Sequence, residues 1–191
     1  MSATSEDPDD ESRILLLDAC VVINFAACGH ISDILGSIDA SAAIVRHVQR
    51  ETLHIRRGGS GDDARERVAI DLADLMDQGL LQVVADASEE ELNTFIDFAL
   101  NLGDGEAMTA ALALHRGYSI ATDDRVAMKV LGSRVSTLSS LDLIKQWADR
   151  QHVSVPIIQT ALRDLRQRGS YLPGSTHPLR SWWDRYYQDM E

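Results

Sequence analysis

The chain has 191 residues, 45% of them apolar and 25% charged, and a formal net charge of −12. That balance suits one globular domain with a modest extension, and two full domains would be cramped. The longest apolar stretches, around Ile14 and Val21, are broken by Asp18 and Asn24, which excludes a bilayer-spanning helix.

The first twelve residues, MSATSEDPDDES, are acidic and polar, so 1–12 is expected to be a disordered tail. It is the opposite of a basic and then apolar signal peptide, and the expected location is the cytoplasm. Arg13 to Leu17 is a short continuous apolar run, as in a strand buried on both faces of a parallel sheet. A helix is expected from Ala19 to Ala27, stopped by Gly29, with a second short one from Ser32. Cys20 and Cys28 lie in or beside the first of these, without zinc spacing, and read as small core residues. Ala42 to Val45 predicts a strand, and His47 to Ile55 a helix with Val48, Thr52 and Ile55 on its inward stripe.

The glycine-rich stretch 56–63 reads as an exposed loop, followed by a helix from Ala64 to Gln78 and a strand from Leu80 to Ala85. Ser88 and Glu91 form a capping box for a helix through Leu100, and Asp104 is the expected N-cap of an alanine-rich helix running to His115. Tyr118 to Thr122 predicts a strand, Asp124 to Leu131 a helix and Arg134 to Leu138 a last strand. Beyond Ser139 the pattern is helical only: one helix to Arg150, one from Val155 to Gln167 and one after Pro178. In that last segment Trp182 stands over Tyr186 and Trp183 over Tyr187 at helical spacing, which suits docking on the domain or on a second subunit more than a platform for stacking bases. The alternation of strand and helix predicts an α/β domain over 13–150, with a mostly parallel central sheet, helices on both faces and a C-terminal helical extension over 151–191.

In such a sheet ligands bind beyond the carboxyl ends of the strands. Asp18 ends the first strand and Asp123 with Asp124 ends the strand YSIAT. Glu51 lies beside the inward stripe of its expected helix, as a partly buried acid that needs a partner. Glu106 sits in the first turn of its helix, on the face of Ala110 and Ala113, where the helix dipole favours a carboxylate. Asp18, Glu51, Glu106 and the Asp123/Asp124 pair are therefore expected to converge in one cleft. Crowded carboxylates need cations to offset their repulsion, and oxygen ligands without histidine or cysteine select Mg²⁺ or Mn²⁺. Such a site activates water and clamps the phosphate of an in-line displacement.

Net charge argues against a nucleic-acid partner, but its distribution is uneven: acids crowd the tail and 86–91, while arginines gather at Arg46, Arg50, Arg56, Arg57, Arg65 and Arg67, and again at Arg163, Arg166 and Arg168. A receiver domain would need adjacent acids after the first strand and a lysine after a late one. Here Ala19 and Cys20 follow Asp18, and the lysines, Lys129 and Lys145, fall in expected helices. A haloacid-dehalogenase-type phosphatase would need DxD where this chain has DAC.

The stretches LLLDACVVINF (15–25), IVRHVQRETL (44–53), LGDGEAMTAALAL (102–114) and IATDDRVAMKVL (120–131) resemble, in order, those of the PIN domain family and its bacterial VapC-like branch. The resemblance implies a three-layer α/β/α fold and a Mg²⁺- or Mn²⁺-dependent endoribonuclease with a four-acid site. Carried over by residue, the acids are Asp18, Glu51, Glu106 and an aspartate of the Thr122-Asp123-Asp124 triplet, with Asp123 continuing the strand rim and Asp124 able to cap the next helix or to serve as a ligand. Asp104, Thr122 and Asn24 are expected around them. It also implies a toxin that cleaves RNA, is held by a small antitoxin protein and pairs as a homodimer. The alternative is a PIN-fold binding module with little catalysis, acting through a protein partner. Cys20 stands where that family places a small hydroxyl or amide side chain, so a hydrogen bond to the first aspartate is in question.

Overall fold

The computed structural model describes residues 13–51, 53–57 and 66–187. The expected tail 1–12, Thr52 and most of the glycine-rich segment with the start of the helix expected from Ala64 lie outside them.

The chain opens with β1 (Ile14–Leu17), α1 (Ala19–Ala27), α2 (Ile31–Gly36), β2 (Ser41–Ile44) and α3 (Arg46–Arg50). A hairpin of β3 (His54–Arg56) and β4 (Arg67–Ala69) leads to α4 (Leu72–Asp77) and β5 (Gln82–Val83). Then come α5 (Glu89–Ala99), α6 (Asp104–Arg116), β6 (Ser119–Ala121), α7 (Arg125–Leu131), β7 (Thr137–Leu138), α8 (Ser140–Arg150), α9 (Val155–Arg168) and α10 (Arg180–Tyr186).

The main sheet runs β5-β2-β1-β6-β7, and each of its pairings is parallel. β1 lies at its centre, which is why Leu15, Leu16 and Leu17 are buried as one continuous run. The chain winds outward from β1 to β2 and β5, then crosses back to β6 and β7. Parallel neighbours need crossover connections, and helices supply them here. The helices form two packing groups: α1 packs with α2, α8 and α9, and α6 packs with α3, α5 and α7. This arrangement is compatible with a three-layer α/β/α fold. The winding reverses between β1 and β6, so the carboxyl ends of those two strands form the switch-point crevice of the sheet.

Several elements differ from the sequence expectation. The helix expected over 47–55 stops at Arg50, where Glu51 turns extended, and His54–Arg56 is a strand. Its register with β4 pairs Ile55 with Val68, and Ile70 N donates to Leu53 O at 2.9 Å. The hairpin buries Leu53 and Ile55 while its partners stay exposed, a period of two that outweighs the helical spacing of Val48 and Ile55. The long helix expected to Gln78 is reduced to α4, whose start is set by Asp71 Oδ1 accepting from Ala73 N and Asp74 N at 3.0 and 3.4 Å. Asp104 is the first helical residue of α6 and Gly103 is its N-cap.

The Ser88–Glu91 capping box is present as expected. Glu91 is also bonded by Arg116 Nε and Nη2 at 2.6 and 2.9 Å, which ties α5 to the end of α6. At the C-terminus Leu162 and Leu165 of α9 are buried, and Trp183 of α10 is enclosed between Tyr187, stacked at 5.0 Å, and Tyr171 at 5.8 Å. The aromatic helix thus docks on its own chain. Gly169 is required there: a Cβ would lie 2.9 Å from Leu165 O and 3.0 Å from Asn24 Oδ1. Among the described residues no helix is long and apolar enough to cross a membrane.

Candidate active site

Asp18 is the N-cap of α1, at the carboxyl end of β1, and is 5% exposed. Its backbone N–H donates to Ala121 O of β6 at 3.0 Å, which fixes it at the switch point. The carboxylate makes no cap bond to α1. Instead Oδ2 accepts from Thr122 Oγ1 at 2.8 Å and from Cys20 Sγ at 3.3 Å. The cysteine therefore supplies a weak donor where a hydroxyl or amide was expected. Burial, and next the charge of Asp18, push the Cys20 thiol far up, so it stays protonated and able to donate.

Asp18, Glu51, Asp104 and Glu106 line one cleft of about 420 Å³, together with Cys20, Val48 and Gly105. Glu51 reaches it from the end of α3 as an exposed side chain rather than a partly buried one, because the helix stops one residue earlier. A Cβ at Gly105 would stand 3.2 Å from Glu51 Oε1, so glycine is what lets this carboxylate lie over the start of α6. Glu106, half-buried in the first turn of α6, accepts from Gly103 N at 3.3 Å through Oε2. It rises from a face of buried Ala107, Ala110 and Ala113 that lets the helix press on the sheet. Burial pushes the Glu106 carboxyl up, and so do the neighbouring charges of Asp18, Asp124 and Glu51; the Gly103 N–H pulls the other way. Asp18, Glu106 and Thr122 also line a small void of about 10 Å³.

The two aspartates after β6 behave differently. Asp124 caps α7 through Oδ1, which accepts from Val126 N at 2.6 Å and Ala127 N at 2.9 Å, and Asp124 N donates to Thr122 Oγ1 at 3.1 Å. Asp123 turns its carboxylate to the other side: Oδ2 accepts from Asn24 Nδ2 at 2.8 Å and from the Ser140 hydroxyl, and Oδ1 accepts from Ser140 N at 3.0 Å. Burial raises its carboxyl, while the bonds from Ser140 and Asn24 pull it down. Asp123 lines a separate cavity of about 360 Å³ with Arg125, Tyr171 and His177. Asn24, expected near the metal acids, is 5% exposed and serves Asp123 and the Ser140 hydroxyl, to which it also donates at 3.1 Å.

Sequence reasoning missed the support around Asp123. Ser139 and Asp142 form a capping box at the start of α8, and the hydroxyl of Ser139 meets His177 Nε2 at 3.1 Å. Leu179 N donates to His177 Nδ1 at 3.0 Å, so the ring proton sits on Nε2. The Ser-x-x-Asp spacing was a readable signal for the cap; the histidine arrives from the C-terminal segment with no local signal at all.

The cleft offers four carboxylates, with Asp124 near one of them, and no histidine. That is a donor set for a hard cation such as Mg²⁺ or Mn²⁺. Among the described residues, no group of three or more acids, histidines or cysteines is drawn together as a finished metal cage. A scan against protein-family models, a search of curated proteins and a search of solved structures each find no match to this chain.

Proposed function

We propose that the chain is a PIN-type endoribonuclease that hydrolyses RNA phosphodiester bonds with Mg²⁺ or Mn²⁺, acting in the cytoplasm as the toxin of a toxin–antitoxin pair. One observation carries the reading: Asp18, Glu51 and Glu106 come from three separated elements to one cleft at the carboxyl edge of a parallel sheet. The raised carboxyl of Glu106 supports it, because repulsion among acids is what a bound cation would relieve. Asp18, Glu51, Glu106 and Asp124 would hold the cation, which when bound polarises the scissile phosphate and lowers the pKa of water. Thr122 and Cys20 orient the Asp18 carboxylate, and Gly103 N–H holds that of Glu106. Asp124 caps α7 with Oδ1 and its charge acts on Glu106, so the part expected of Asp123 is given to it here. Asp123 positions α8 against β6 through Ser140.

The antitoxin partner and the homodimer belong to this reading through the family resemblance. Incubating the purified chain with single-stranded RNA, with and without Mg²⁺, tests it: metal-dependent cleavage is expected, and intact RNA in both would overturn it. The second reading is a PIN-fold module that binds a protein without cutting. It would be upheld by partner binding with no hydrolysis at saturating metal.

A further inference from the structure

A second depression of about 400 Å³ lies beside the acidic cleft. Its floor includes Val84, Met108 and Leu112, all buried, and its rim carries Arg46, His47 and Arg50, all exposed. The same two helices build both places. Along α3, Val48 and Glu51 face the acidic cleft while His47 and Arg50 face this pocket. Along α6, Gly105 and Glu106 line the cleft, and Met108 and Leu112 line the pocket. Gly105 and Met108 are neighbours three residues apart on one face of α6, and Arg50 directly precedes Glu51, so the pocket adjoins the cleft.

Their partners separate the three rim side chains. Arg46 Nε is bound to Asp86 Oδ1 at 2.7 Å. The His47 ring is stacked on Phe95 at 6.2 Å. Arg50 has no ion-pair or hydrogen-bond partner among the described residues. A cluster of carboxylates repels a phosphodiester, so a substrate strand entering that cleft needs a cation close by that is not already neutralised. Arg50 is that cation, and an apolar floor beside it suits the flat face of a base.

We propose that this pocket is the subsite for the nucleotide next to the scissile phosphate of single-stranded RNA, with its base on Met108 and Leu112 and its phosphate at Arg50. The proposal rests on the ribonuclease reading of the neighbouring cleft. Its test measures binding alone, so that the two can fail separately.

The probe is a 5′-fluorescein-labelled uridine hexamer, titrated by fluorescence anisotropy in EDTA against the full chain. Arg50→Glu is compared with Arg185→Glu, an equal charge change on exposed Arg185 of α10, after both give the wild-type thermal midpoint. The expected result is a loss of at least fivefold in affinity for Arg50→Glu and less than twofold for Arg185→Glu. Arg50→Ala should also lower the slope of log Kd against log salt by about 0.7, the value for one phosphate contact on a single strand. Equal losses in both reversals, an unchanged salt slope, or no hexamer binding by the wild type would overturn the subsite; the last would leave the groove to a protein segment. Arg50-dependent binding without cleavage on adding Mg²⁺ would uphold the subsite and overturn the nuclease reading.

Discussion

Replacing Glu91 by glutamine tests how the α5–α6 pair that carries Glu106 is held. Glu91 is 5% exposed, and its carboxyl is held down to about 2, first by the hydrogen bonds from Arg116 and further by those from Ser88. Burial alone would raise it. A carboxyl whose pKa is lower folded than unfolded contributes stability above the unfolded value, and that stability is lost as pH falls through the folded value. The distance between about 2 and the ordinary 4.5 is worth on the order of 3 kcal/mol at pH 7. Glu91→Gln keeps the shape and an acceptor for Ser88 N but removes this charge. In a chain of this size the thermal midpoint should drop by roughly 6–12 °C at pH 7. The gap between variant and wild type should close as pH is lowered from about 4.5 towards about 2. Midpoints followed by circular dichroism at pH 7, 5 and 3 provide the assay. A drop below about 2 °C at pH 7, or a gap that stays constant with pH, would refute the reasoning.

Three further outcomes are expected around the cleft. Mg²⁺ at tenfold above its dissociation constant should stabilise the protein by about 1.4 kcal/mol, raising the midpoint by roughly 3–6 °C, and by less in Glu51→Gln; calorimetry in low salt would show it. Asp124→Asn should lose cleavage and much of that metal response with little change in metal-free stability, because asparagine also caps a helix; full activity would remove Asp124 from the site. Asp123→Ala should instead cost about 2–4 kcal/mol, since it leaves buried Asn24 and Ser140 without their acceptor; an unchanged midpoint would contradict that role.

Asp18 and Glu106 were legible because each follows a local rule: an acid directly after a buried apolar run, and an acid in the first turn of an alanine-faced helix. The parallel sheet was legible for the same reason, since LLL before Asp18 suits a central strand. Glu51 was read as helical because Val48 and Ile55 fit a helical stripe. The competing alternation of Leu53 and Ile55 becomes decisive only when β4 arrives to pair with it. The fates of Asp123 and Asp124 could not be separated in one dimension. What separates them is Ser140 and Asn24 on one side and the first N–H groups of α7 on the other, and the first two are brought to Asp123 only by the packing of α1 and α8. The reading of Arg50 as a free cation likewise depends on Asp86 being claimed by Arg46.

The central claim is that the carboxylates of this cleft cut RNA. The most direct measurement is gel-resolved cleavage of a labelled single-stranded RNA in 5′ and 3′ frames by wild type, Asp18→Asn and Glu106→Gln, purified side by side with Mg²⁺ supplied at about millimolar concentration, the range used by sites that keep several metal-bound waters. The account predicts cleavage by the wild type and its loss, by at least a hundredfold, in both variants while their thermal midpoints stay at or above the wild-type value. Cleavage by either variant at the wild-type rate would contradict it.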